Sequence, residues 1–469
     1  GTRMSRKATV KNLAQQQANK TGQVVEIIEE VAEEENAIGI DVSHGYTPDF
    51  HPNAIHRTQP LKNVYYPDAN WKPHTMRWQY ISMLILVSIT LGGCQEFLLW
   101  KSNRLDSEGN PMGILRFVDP KDMPVRNFFA SKYLSTILTV AYGILWQLTD
   151  IEVKRLEPYY QLGRPEGALA AESINIDYVT LFDIFRPVVA MWYKHWAVAV
   201  SSVASILAVF VIPVLQSFTM ELDPKRPEEE GLLIKITIDQ NWSRVLSISL
   251  YVVSVLGIAL LLILHNRNSG LTADVKGIAG VTKMAAKSYI LVDFQNSDTL
   301  PPKDIHNKLK HHRYTLRGSA LAPDDKQLDS KETNKYDTNP FKLDDNPHPF
   351  MMRLHSCLGL EAFILFFTGL VPILLFTPAS VVSETLPGLT TALAIALKFV
   401  LQTLEQDMRM MEPFFVLWKR HAPPKTLTLD YAGMAFGYMP IQALLNGHLL
   451  LAAMGIGSVL TEVLTVCVS

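Results

Sequence analysis

Long apolar runs alternate with polar stretches along this chain, and the runs are too long to be strands of a soluble domain. Seven of them approach the ~20 residues that cross a ~30 Å hydrocarbon core. They are Ile81–Trp100, Tyr133–Leu148, Val188–Val214, Val245–Leu264, Leu358–Phe376, Leu389–Leu404 and Ile441–Val466, and the pattern predicts a helix for each. The second and sixth are short and run on into charged residues, Asp150-Ile151-Glu152-Val153-Lys154-Arg155 and Glu405-Gln406-Asp407-Met408-Arg409. Each reads as a helix that leaves the bilayer and stops near a proline. Gly92-Gly93 in the first run would let another helix approach closely.

The polar stretches divide the chain further. Residues 1–75 read as a largely disordered cytoplasmic arm, with an acidic run at Glu29–Glu35. A single charged helix from Asn12 to Ala37 is the rival, and Tyr65, Tyr66, Trp71, Trp78 and Tyr80 form an aromatic belt ahead of the first span. His44, His51, His56 and His74 are too irregularly spaced for a metal site. Residues 215–264 hold an outer loop, a short strand over Leu232–Ile238 and a linking helix. Residues 265–353 read as a flexible cytoplasmic insert, with a small helix and strand between Leu271 and Phe294 and a basic cluster from Lys308 to Arg317.

One sequence returns. Leu156-Glu157-Pro158-Tyr159-Tyr160-Gln161-Leu162 is answered by Met411-Glu412-Pro413-Phe414-Phe415-Val416-Leu417. Asp177-Tyr178 then answers Asp430-Tyr431, Pro187 answers Pro440, and His195 answers His448. Residues 177–207 and 430–460 agree at 8 of 31 positions, which is modest for apolar sequence, so the ordered recurrence of the rarer residues carries the inference. The chain reads as one membrane module present twice, over 76–214 and 354–469, the second truncated if a true unit has four spans. Lys and Arg crowd the motif loops and the insert, while Thr377–Thr390 has neither. The positive-inside rule then puts the N-terminus and both motifs in the cytoplasm, with both copies threaded in the same direction.

Composition changes this picture little. A formal net charge of −2 gives no reason to expect nucleic acid, and Cys94, Cys357 and Cys467, each in or beside an apolar segment, suit packing better than a disulfide framework. Neither cofactor nor metal is implied, and no signal peptide is visible in the polar first residues, so the first span is expected to serve as the insertion signal.

The chemistry rests on few residues. In Glu157-Pro158-Tyr159-Tyr160 and Glu412-Pro413-Phe414-Phe415 the proline ends a helix, the rings sit at the interface, and the carboxylate accepts from Arg155, Arg164, Arg409 or Arg420. That clamp is the leading reading. The alternative is gating or ion coupling by two carboxylates facing each other across the repeat axis. A possible intramembrane site comprises His195, His448, Glu96 and Glu361, against a plain anchoring role for each. Asn241-Trp242-Ser243 is a glycosylation sequon close to a span. No nucleophile elbow, Walker loop or zinc-protease helix occurs, so no enzyme is expected.

Residues 156–162, with 411–417 as a degenerate partner, resemble a family of fungal multi-pass membrane proteins of unknown function whose shared domain occurs twice and bears this string. The resemblance covers about 130–214 and 385–466; it implies a fungal integral membrane protein and brings no activity with it. The expected fold is all-α, with about seven transmembrane helices in two parallel three-helix repeats joined by a linking helix. The expected location is the plasma membrane or secretory pathway, with membrane lipid and other membrane or cell-wall proteins as partners. A structural or interaction role is favoured over a transporter, channel or lipid-moving protein, because polar residues within the spans look few.

Overall fold

The structure, a computed structural model, describes residues 12–18, 25–29, 61–65, 69–104, 114–117, 124, 126, 129, 133–223, 234–295, 297, 300, 302–323, 348–377, 388–419, 421–435 and 437–468. Two compact units form, Gly1–Asn70 and Trp71–Ser469. In the first, a helix over 12–18 (α1) precedes an antiparallel pair, β1 (Val25–Glu29) and β2 (Leu61–Tyr65), with Val25 opposite Tyr65. The single helix from Asn12 to Ala37 does not form, since 25–29 is a strand. Residues 30–35, His44, His51, His56 and Tyr66 lie outside the described residues.

The second unit is built on helices. In chain order the main ones are α2 (Trp78–Ser102), α3 (Ser135–Leu162), α4 (Arg186–Trp192), α5 (Trp196–Thr219), α6 (Gln240–His265), α7 (Gly277–Ala286), α8 (Pro302–Leu309), α9 (Leu354–Phe376), α10 (Gly388–Trp418), α11 (Tyr438–Leu445) and α12 (Leu449–Val468). Among the described residues five are long and apolar enough to cross a membrane: α2, α5, α6, α10 and α12. Of the other two expected spans, α3 is long but less apolar, and α9 contributes the apolar stretch Leu354–Leu370 among the described residues.

Pairing between α2 and α6 follows from small residues. Gly92 leaves room for the Tyr251 ring, since a Cβ there would lie 3.0 Å from it, and Gly257 leaves room for Ile85. Ser88 Oγ donates to the Leu250 carbonyl at 2.7 Å, and Gln95 donates to Ser243 at 2.9 Å. Gly93, in contrast, faces open space. Lys72, ahead of α2, donates to the Leu264 carbonyl at 2.7 Å and so caps the end of α6. Burial, and then the charge of Arg267, lowers the affinity of that amine for its proton.

Both third spans are broken near their start, so the expected beginnings at Val188 and Ile441 are corrected. α4 ends at Trp192, Lys194 takes φ of 59°, and α5 begins at Trp196. Downstream, α11 ends at Leu445, Gly447 takes φ of 79°, and α12 begins at Leu449. The left-handed residue lets the chain turn and restart: His195 N–H donates to the Ala190 carbonyl at 2.8 Å, and His448 N–H to that of Ala443 at 2.9 Å. Within α5 the residues Leu207–Val211 form a π-helical turn just before Pro213.

The prolines of the repeated motif do not end their helices. α3 continues through Pro158 to Leu162, and α10 through Pro413 to Trp418. Proline removes one backbone hydrogen bond and crowds the carbonyl four residues back. Burial of Leu156, Glu157, Tyr160 and Leu162 on both sides of Pro158 holds that helix together regardless.

Three small antiparallel sheets complete the chain among the described residues. Besides β1–β2, β3 (Leu115–Phe117), β5 (Met220–Asp223) and β6 (Ile234–Ile238) pair in the order β3-β6-β5, which places a strand in the second half of the expected 232–238. The third sheet runs β4 (Ala168–Leu169), β7 (Arg313–Arg317), β8 (Ala320–Pro323). It corrects the reading of the insert as a flexible linker, because α8, β7 and β8 are folded and β7 is bonded to the loop after the first motif. Tyr314, Leu316 and Leu321 enter the core with Tyr160 and Tyr178. A second core lies among α9, α10, α11 and α12, around Leu397, Tyr431, Met439 and Leu451.

Candidate functional site

The two motif-bearing stretches use the same contacts. Tyr178 Oη meets His195 Nδ1 at 2.7 Å with rings inclined at 73°, and Tyr431 Oη meets His448 Nδ1 at 2.8 Å, also at 73°. The aspartates beside these tyrosines hold their own turns. Asp177 accepts from the backbone N–H of Val179 and Thr180, and Asp430 from that of Gly433. Burial pushes the Tyr178 phenol up, with Glu157 adding to the effect, and lowers His195 against the opposing pull of Glu157.

A second recurrence lies one to two turns before each motif. Asp150 pairs with Lys154, and Glu405 pairs with Arg409 at 2.5 Å, each across one helical turn. Hydroxyls from the neighbouring helix complete each carboxylate: Ser201 and Ser202 donate to Asp150, and Ser458 donates to Glu405. These charges are buried, so the helix segments expected to leave the bilayer into water are packed against protein instead.

The two stretches meet at Gln147 and Gln402. Gln147 Nε2 donates to Gln402 Oε1 at 3.0 Å, and the two residues stand at the same distance before their motifs. Beside them is a cavity of about 80 Å³, lined by Asp150, Lys154, Asp183, Arg186, Glu405 and Arg409, with the two glutamines. That is room for a few waters. Arg186 pairs with Asp183, which lies 3.8 Å from Lys154. Burial brings the Arg186 guanidinium down to about 10, opposed by Asp150, Asp177 and Asp407. The 150–154 and 405–409 turns thus line one cavity together with Arg186 of α4.

The seam continues into the apolar part of the bundle. Gln402 Nε2 reaches Glu462 Oε1 at 3.4 Å, and Glu462 is paired with Lys398 at 2.7 Å. Lys398 and Glu462 are 2% and 5% exposed. Lys398 lies about 15 Å along α10 and Glu462 about 20 Å along α12, both on helices long and apolar enough to cross a membrane. The corresponding places upstream hold Gly143 and Val209, which touch at the π-helical turn. The polar seam is therefore lopsided.

The expected site residues fall elsewhere. Glu157 is held by Arg267 through two hydrogen bonds of 2.7 Å and by Gln161 at 2.5 Å. Arg267 follows α6 and also lies over the Tyr160 ring, 5.3 Å from its centre. Arg155 pairs with Glu152 and Asp274, and Arg409 with Glu405, so neither of these two holds a motif carboxylate; Arg420 lies outside the described residues. The rings divide: Tyr160 is buried and Tyr159 half-buried, while Phe414 and Phe415 are exposed. Glu412 lies 3.8 Å from His448. His195, His448, Glu96 and Glu361 are not brought together. The histidines face their tyrosines, and Glu96 and Glu361 are exposed. Asn241 is exposed in the first turn of α6. Among the described residues no group of His, Cys, Asp or Glu is arranged to hold a metal ion.

Two parts of the chain, residues 129–220 and 386–469, match one family model, described as "Protein of unknown function (DUF3433)". Each part contains one Glu-Pro motif, one Asp-Tyr pair and one of the two histidines. No curated protein and no solved structure matches the chain. What stands is a multi-spanning membrane protein similar, over these two parts, to a family without an assigned activity.

Proposed function

We propose that this chain is a membrane conduit for protons or small ions, and that its two motif-bearing stretches are copies of one module, threaded in the same sense, whose shared face forms the path. The reading rests on the Lys398–Glu462 pair and its link through Gln402 to Gln147 and the charged cavity. A buried ion pair adds little stability over apolar packing of the same volume. Charges inside a membrane bundle mark ion or proton paths by default. Sparse polar residues were the ground for favouring an anchoring role, and the buried seam is the ground for favouring a conduit instead. The π-helical turn of α5 stands beside that seam and supplies the break in regular helix that moving elements use. Positive charge on the motif loops favours a cytoplasmic face for both motifs, in the plasma membrane or secretory pathway.

A structural anchor is the second reading. Its support is that the carboxylates Asp150, Glu405 and Glu462 each have their own cation and that the cavity is small, so the seam would serve as an ionic lock. Flux separates the two. In proteoliposomes carrying a pH gradient and a fixed potential, the protein dissipates the gradient, and Glu462→Gln slows this at least about tenfold, the scale of losing a buried charge from a path. His195→Ala and His448→Ala, off the seam, keep the rate within about twofold. Folded protein that passes neither protons nor alkali-metal ions leaves the anchor.

A further inference from the structure

Glu157 and Glu412 hold the same place in the repeated motif, yet they are not served alike. A guanidinium grips both oxygens of Glu157 and lies over the ring of Tyr160. Around Glu412, among the described residues, the one ion-pair approach is His448 Nδ1 at 3.8 Å, and that nitrogen is already engaged with the Tyr431 hydroxyl. Where the upstream motif is roofed by the segment carrying Arg267, the downstream motif opens into a cavity of about 510 Å³. Its walls are Met408, Met411, Phe414, Phe415 and Trp418, with His348 at one side and the Glu412 carboxylate the single acid. The volume falls within the ~300–1,000 Å³ of small-molecule sites, and flexible thioethers with aromatic faces suit an alkyl chain and a cation. Lys419 already lies over the Phe415 ring, 4.3 Å from its centre, so cations do occupy this aromatic surface.

We propose that the Glu412 cavity binds an amphiphile bearing a cationic amine on an alkyl chain, its head standing on Glu412 as Arg267 stands on Glu157. The upstream site defines the chemistry: a nitrogen cation donating to a buried carboxylate, backed by an aromatic face and apolar walls. The downstream site has the acceptor, the rings and the walls. The ligand supplies the cation. This site is separate from the seam of Lys398 and Glu462, and binding at it is read without any flux.

The test uses the full chain in a neutral detergent, titrated with dodecylamine, dodecanol and dodecanoate while thermal unfolding and tryptophan fluorescence are followed. Dodecylamine raises the unfolding midpoint and shifts the emission; the alcohol and the carboxylate of equal chain length do not. Glu412→Gln weakens the amine about tenfold, the scale on which a charge-assisted hydrogen bond acts. His348→Arg, which brings a cation into the cavity from within, also weakens it and decides the matter should Glu412→Gln fail to fold. Equal responses to amine and alcohol, or amine binding unchanged in either folded variant, overturn the proposal.

Discussion

Gln147 and Gln402 stand 255 residues apart and share a hydrogen bond of 3.0 Å between their side-chain amides. Each stands ten residues before the glutamate of its Glu-Pro motif, so the two motif-bearing stretches meet here. The neighbouring pairs, Asp150 with Lys154 and Glu405 with Arg409, then lie on either side of one cavity. The fold thereby concentrates its buried charge at this face.

Arg267→Ala should destabilise the protein by about 3–5 kcal/mol, since it leaves the Glu157 carboxylate buried without its cation. Glu157→Gln combined with Arg267→Met should recover most of that loss. Chemical unfolding of purified protein in detergent checks both. Equal losses in the single and double variants would mean that the pair does not act as a unit.

Stability should fall as pH drops below about 6.5. Burial, partly opposed by Glu157, lowers the proton affinity of His195 in the folded chain. The unfolded chain therefore takes up this proton at a higher pH than the folded one, so stability rises with pH through that window. Thermal midpoints measured from pH 8 to pH 5 should decline in the original chain and decline less in His195→Gln. A slope unchanged by the substitution would assign the effect to another group.

Gly143→Ala should cost about 1–3 kcal/mol, in the range of overpacked helix contacts. A Cβ at this position would lie 3.1 Å from the Ala208 carbonyl oxygen and 3.3 Å from Val209, at the π-helical turn. Backbone cannot step aside as a flexible side chain can. Gly93→Ala, which meets nothing within 4 Å, serves as the control and should leave the unfolding midpoint unchanged.

Much of this architecture was legible because it is local. The apolar runs located the helices, and the Asp-Tyr and His recurrences marked residues that the structure joins as two tyrosine–histidine pairs, contacts that the sequence did not itself show. What escaped notice depends on partners distant in sequence. Lys398 and Glu462 each stand as one charge within an apolar run of the sequence, and neither drew a reading there, although a charge so placed is the signal for a buried pair. Asp150–Lys154 and Glu405–Arg409 looked like helix ends meeting water, because the hydroxyls and helices that bury them come from later in the chain. Arg267 stands 110 residues from Glu157, and nothing local in the sequence links the two. Pro158 and Pro413 read as stops because local chemistry disfavours them in helices, while the packing that overrides this is tertiary.

Cross-linking tests the shared face most directly. With Cys94, Cys357 and Cys467 replaced by serine, Gln147→Cys and Gln402→Cys are introduced together and treated in membranes with a short bifunctional thiol reagent. Digestion and mass spectrometry should then recover the 147 and 402 peptides joined to each other within one chain. No 147–402 product from folded protein, with a second chain carrying Gln147→Cys and Glu412→Cys joined under the same treatment, would place the two stretches in opposite senses and contradict the account.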